Sequence, residues 1–590
     1  MVDLRAVPYE LDEEGVSWVE STLASMTLED KLGQLFINMG ASRDEDYLTD
    51  VVQQYKFAGV RYNPGTAAEV HEQNRILQEN SAIPLLIAAN TEAGGNGACT
   101  DGTEVGYEVK VGATADPRYA YELGRVSGVE ATAIGCNWSF APIVDIYYNW
   151  RNPIISNRSF GADPQLVLDM GLAYMKGFQE SGAVCAAKHF PGDGVDERDQ
   201  HLSFSVNSFS EEEWNETFGK VWRGLIDAGL PSLMAGHIHL PAFQRKYDPG
   251  VADEDLLPAT LSKEIMTDLL RGEFGFNGVV VTDASHMVAL TSAMKRADLV
   301  PTAIAAGCDL FLFFNDPDED LEYMRDGVRR GILTQERIDE AVTRTLGLKA
   351  RLGLHRKAKT DIVPPAEEAL AQIGLPENTA VFAEIADKAI TLVKNKQPDI
   401  LPVTPERYRR ILLVPVDGPP NPAAAFFGAA AGQKAVDLIT EKLRERGHEV
   451  EIFESAVTRI GRLPEEERGA ALQNMYAGKA PIKEFVAKYD LVINVAQVVG
   501  GMQPVERISW PASKGTPDLP WYVHEIPTIF ISVNCPYHLA DAPAVKCYIN
   551  TYDPRPVTLE LLLDKLASGA DAFTGVPPTD AYCGFFDTRI

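Results

Sequence analysis

Eight short apolar runs punctuate the first 314 residues, and they restrict the fold more than any other feature of the chain. They are "KLGQLFI" (31 to 37), "AGVRYN" (58 to 63), "PLLIAAN" (84 to 90), "CNWSFAPIVDI" (136 to 146), "AVCAAKHF" (183 to 190), "PSLMAGH" (231 to 237), "GVVVTD" (278 to 283) and "DLFLFF" (309 to 314). Their apolar character is nearly continuous, as in parallel strands buried on both faces, and helix-like stretches separate them. Eight strand–helix units predict an α/β chain folded as a (β/α)8 TIM barrel. A doubly wound sheet has similar periodicity but binds its ligand at a single switch point.

The ends of these runs discriminate between the two folds. Most finish on a polar residue: Asn63, Asn90, Asp145, Lys188 with His189, His237 and Asp283. In a barrel the C-terminal strand ends share one mouth, so these side chains are expected to converge there.

After the barrel, the charged and Pro-containing stretch 352 to 385 reads as a linker. A second alternation follows, with strands expected at 409 to 416, 448 to 454, 490 to 498, 528 to 534 and 545 to 552. The expected division is therefore a catalytic barrel over 1 to 351, a linker over 352 to 385, and a smaller α/β sandwich over 386 to 590. Within the last part, "FGAAAGQK" (427 to 434) carries Gln433 where a P-loop requires Lys, so no nucleotide site is expected.

Charge narrows the choice of partners. With 84 acidic and 54 basic residues the net charge is −30, which repels nucleic acid and anionic lipid. Seven scattered cysteines without a CxxC pair point to neither a disulfide framework nor a thiolate metal site. No apolar run approaches the roughly 20 residues that span a bilayer, and the N-terminus lacks a signal-peptide pattern. A cytoplasmic protein is expected, without metal, cofactor, nucleic-acid or membrane partner.

The loop after the fifth run, "KHFPGDGVDERDQH" (188 to 201), resembles the KHFPGHG-x4-D-x-H loop of bacterial two-domain β-N-acetylglucosaminidases of glycoside hydrolase family 3. "NWSFAPIVDI", "NPIISNRSFGADP", "LMAGHIHLPAF" and "PATLSKEIMTDLLRGEFGFNGVVVTDASHM" agree in the same order, over residues 26 to 350. The resemblance implies an exo-acting, retaining hydrolase that forms a covalent glycosyl-enzyme on Asp283. It implies that His201, paired with Asp199, is the acid/base. Lys188, His189 and Arg158 are then expected to bind sugar hydroxyls, with Asp145 and His237 orienting their neighbours. The implied partner is a β-GlcNAc glycoside.

Two departures stand out. Asn90 replaces the family's Asp, with Glu92 following, and Asp193 replaces the His of GHG. Two other readings of the site stay open: a phosphorylase, in which phosphate is the acceptor, and a family-3 β-glucosidase. A non-catalytic sugar-binding relic is disfavoured because Asp283 and His201 are both present. A metal enzyme built on "GHIH" is disfavoured because His237 and His239 fall on opposite faces of a strand.

Overall fold

The apolar runs pair in the order in which they occur. A computed structural model describes residues 2–418, 434–477, 481–498, 507–510 and 516–590. Residues 427 to 433 of the P-loop-like segment lie outside this description. The chain divides into two units, Met1–Glu108 with Asp116–Phe382, and Val109–Ala115 with Ala383–Ile590.

The first unit is a closed, all-parallel eight-stranded barrel. Its strands are β1 (Phe36–Met39), β2 (Gly59–Arg61), β3 (Leu86–Ala89), β4 (Trp138–Ser139), β5 (Val184–Phe190), β6 (Ser232–Ala235), β7 (Val279–Ala284) and β8 (Leu310–Leu312). All eight expected strands exist, several of them shorter than their runs. The first is displaced, because Lys31 to Gly33 close helix Leu28–Gly33, whose Thr27–Asp30 capping box fixes its start. The fourth is only two residues long, and beyond it Ile143 bridges Lys188 in parallel. Inside the barrel β-branched and aromatic side chains pack at full burial, and Trp138 donates its indole N–H to Ser232 Oγ at 2.8 Å.

The second unit holds a six-stranded sheet in the order β9-β14-β13-β12-β10-β11. The strands are β9 (Thr391–Asn395), β10 (Arg410–Val416), β11 (Glu449–Ile452), β12 (Leu491–Ala496), β13 (Thr528–Ser532) and β14 (Cys547–Asn550). Five match the expected runs. Strand β9, which sequence reasoning missed, lies antiparallel on β14 at the sheet edge, and its "TLVKN" has no sustained apolar run to give it away. Helix Pro376–Ala389 occupies part of the stretch read as linker. Segment Val109–Ala115 belongs to this unit through Lys110, whose buried ammonium pairs with Asp553 at 2.6 Å.

Asp309, at the N-terminal end of β8, stabilises the closed end of the barrel. Its Oδ1 accepts from Arg337 at 2.6 Å and Arg344 at 3.2 Å, and its Oδ2 accepts from Arg271 at 2.7 Å and the Val280 amide at 2.9 Å. Burial opposes its ionisation, but the three guanidiniums hold its pKa below the usual carboxylate range. Removing the carboxylate takes from Arg271 its carboxylate partner and leaves Arg337 and Arg344 to share Glu340. D309A should therefore lower the stability of the barrel transition in urea by about 3–5 kcal/mol. A loss under ~1 kcal/mol would show that solvent replaces the carboxylate.

Candidate active site

The strand ends meet in one mouth. The register of β5 against β6 shifts between Lys188 and Phe190, and the consecutive side chains of Lys188 and His189 both reach site groups instead of alternating. Lys188 Nζ lies 2.6 Å from Glu92 Oε1. Arg158, on the turn Ser156–Arg158, grips the same carboxylate through Nε and Nη2, each at 2.9 Å. Burial acts against the Glu92 charge, but Arg158 and Lys188 outweigh it and hold this carboxylate far below its ordinary range. Arg158 thus pairs with Glu92 and not with Asp145.

Asp145 is fully buried and serves β5 instead. Its Oδ2 accepts from His189 Nδ1 at 2.6 Å, and its Oδ1 from the His189 amide at 3.2 Å and the Asp193 amide at 2.7 Å. With Nδ1 committed to the carboxylate, His189 turns Nε2 toward Asp283 Oδ2 at 3.8 Å, too long for a direct hydrogen bond.

Asp283 comes near the end of β7, its side chain 14% exposed, with Oδ1 accepting from the Ala284 amide at 2.7 Å. Burial raises its pKa, but His189, His237, His201 and the amide overcome that and bring it down to about 2. It is therefore ionised across the physiological range. His237 is buried, and its pKa is pushed down by burial to about 4. Its Nε2 donates to the Ala284 carbonyl at 3.0 Å and its Nδ1 accepts from Thr260 Oγ1 at 2.7 Å, which fixes one neutral tautomer.

The loop from 191 to 204 brings the dyad to the mouth. His201 Nδ1 and its own amide both bond Asp199 Oδ1, at 2.7 and 2.8 Å. Asp199 Oδ2 is buried and has no partner among the described residues, so this carboxylate is devoted to His201. Nε2 is then the ring nitrogen of His201 that Asp199 does not engage. The loop glycines answer to close packing. Gly192 (φ +129°) and Gly194 (φ +105°) hold left-handed conformations, and a Cβ would stand 2.1 Å from the Phe218 ring and 2.0 Å from the Ile146 carbonyl oxygen.

Asp193 faces inward, only 1% exposed, and takes hydrogen bonds from Asn152, Gln200 and the Gly194 amide. Burial, then the Asp145 carboxylate, push its pKa up to about 8. Arg198 pairs with Asp196 at 2.6 Å instead. Asn90 follows β3 directly and is half-buried.

Sequence reasoning did not nominate Glu92, Tyr107 or His286. Tyr107 is raised in pKa by burial and then by Glu92, and His286 is lowered by burial and then by His201. The Glu of "NTEAGG" was visible as a strand-end carboxylate, and His286 stood three residues after Asp283 in the matched "TDASHM", whereas Tyr107 belongs to no recognisable spacing. Among the described residues no group of three or more His, Cys, Asp or Glu is placed to hold a metal ion. No helix among them is long and apolar enough to cross a membrane.

With this geometry the similarities to known proteins are informative. Residues 27–348 match the glycosyl hydrolase family 3 N-terminal domain. A β-N-acetylglucosaminidase/β-glucosidase of Cellulomonas fimi is 44% identical over 591 residues, covering all of both chains. The solved β-glucoside phosphorylase BglX is 37% identical, with a TM-score of 0.87 over 99% of each chain. A family-3 β-N-acetylglucosaminidase from Paenibacillus sp. str. FPU-7 superposes with a TM-score of 0.73 at 25% identity, over 94% of this chain and 99% of that one. A barrel whose strand ends gather carboxylates, histidines and a Lys–Glu–Arg cluster, matched at this extent, makes the chain an enzyme belonging to glycoside hydrolase family 3.

Proposed function

We propose that the enzyme removes terminal β-linked N-acetylglucosamine with retention of configuration, using Asp283 as nucleophile and His201, oriented by Asp199, as acid/base. The observation that carries this reading is the ionised Asp283 facing a mouth lined by His189, His237 and His201. Its carboxylate attacks the anomeric carbon while the bond to the leaving oxygen breaks, and that oxygen takes the proton from His201 Nε2. In the second step water attacks the same carbon, gives its proton to His201, and releases Asp283. Lys188 and Arg158, braced on Glu92, bind the ring hydroxyls, and Asn90 contributes a neutral contact at the same edge. Asp145 acts through His189. The scattered cysteines fit a cytoplasmic setting.

One observation favours a second acceptor. The Asp193 carboxylate is turned into the protein, so it sets no charge against an incoming phosphate, and the 37%-identical solved relative is a phosphorylase. The Cellulomonas fimi relative also extends the donor class to β-glucosides.

Three experiments follow from these readings. An activated 2-deoxy-2-fluoro glycoside should label the peptide carrying Asp283, and D283A should turn over no substrate while keeping its fold; labelling elsewhere removes Asp283 from the role. With an aryl β-GlcNAc and millimolar phosphate, the phosphorylase reading requires sugar 1-phosphate at the expense of free sugar, and unchanged free-sugar release leaves a hydrolase. E92Q keeps the shape but removes the charge that braces Lys188 and Arg158, and kcat/KM should fall about 10- to 100-fold. An unchanged value would detach Glu92 from substrate binding.

A further inference from the structure

Gln200 sits between the two members of the dyad, yet its side chain points the other way. It is 1% exposed. Its Oε1 accepts from the His237 amide at 2.9 Å, and its Nε2 donates to Asp193 Oδ2 at 3.1 Å. A backbone amide can only donate, so the orientation of the Gln200 amide is determined. Its carbonyl accepts from the Ala289 amide and that of His201 from the Val288 amide, both at 3.1 Å. The residue therefore ties the dyad loop to the ends of β5 and β6 and to the turn that follows β7.

A buried glutamine with both ends bonded is commonly core filling. Here the two ends bond to elements that carry site groups. Asp193 shares its amide with Asp145, the partner of His189, and His237 bonds the Ala284 carbonyl beside Asp283. Any shift of Gln200 displaces its two chain neighbours, Asp199 and His201.

We infer that Gln200 is a positioning residue that fixes His201 over the sugar by joining the side chain of Asp193 to the amide of His237. This rests on the reading of His201 as acid/base. A misplaced His201 delivers its proton poorly, so the cost falls on substrates whose leaving group needs that proton.

An exchange of polarity tests it. In D193N, the new amide faces the Gln200 amide, donor to donor. In Q200E, two buried carboxylates face each other. In the double variant D193N/Q200E the introduced amide donates to the introduced carboxylate, whose other oxygen still accepts from His237, so both bonds are restored and only the one between positions 193 and 200 runs in the opposite direction. Q200M adds a variant that deletes both bonds without introducing charge.

Turnover of an aryl β-GlcNAc and of an alkyl β-GlcNAc would be compared in folded samples, with H201A alongside. Q200M and each single exchange should lose about 10-fold or more in kcat/KM on the alkyl substrate and far less on the aryl one, as H201A does. The double variant should recover most of the loss. Equal losses on both substrates, or a double variant no better than its worse parent, would overturn the role while leaving His201 in place. If H201A itself shows no dependence on the leaving group, the acid/base reading falls and this inference falls with it.

Discussion

The active mouth is organised around one buried carboxylate. Asp145 sits beyond β4 in a fully enclosed position and satisfies three donors, two from His189 and one from Asp193. An ionised group in such a place is tolerated only when hydrogen bonds replace its lost hydration. Those bonds determine the tautomer of His189 and the path by which the chain leaves β5 toward the dyad. The other site groups depend on this arrangement: the 3.8 Å approach of His189 to Asp283 and the inward turn of Asp193 both follow from where Asp145 holds the backbone.

The same economy of charge governs the cluster around Glu92. Glu92 would be unstable alone at its depth, and Lys188 would be poorly solvated without it. Together with Arg158 they form a cluster in which the two cations favour the charge on Glu92. Asp309 repeats the pattern at the far end of the barrel, where three arginines meet one fully buried acid and two of them also hold Glu340. The fold accommodates buried ions by grouping them.

Much of this was legible in the sequence because apolar runs, strand ends and barrel topology are linked by period and by parallel pairing. Lys188, His189, His237 and Asp283 were visible as polar residues closing buried runs. Boundaries were less legible: the run at 31 to 37 mixes a helix end with a strand, and "TLVKN" became a strand only because β14 offers it an edge. The inward turn of Asp193 was not legible at all. A carboxylate between two glycines reads as solvated, and only the packing of Gly194 against Ile146, together with the donors of Asn152 and Gln200, reverses that reading. Nor does spacing reveal Tyr107, and His286 lies in the matched segment ending "TDASHM" without a pattern that singles it out.

The loop that carries His201 is an arch with both feet fixed, one at Asp193 and the other at the turn holding Val288 and Ala289. Between the feet, Glu197 and Arg198 at its crown are exposed, Arg198 leaning on Asp196. Sequence drift and laboratory libraries therefore have unequal freedom along these few residues. The crown offers side chains that can be exchanged, while the feet tolerate little change, so under the proposed reading of His201 variation is most accessible at two adjacent positions that make none of the bonds holding Asp199 and His201.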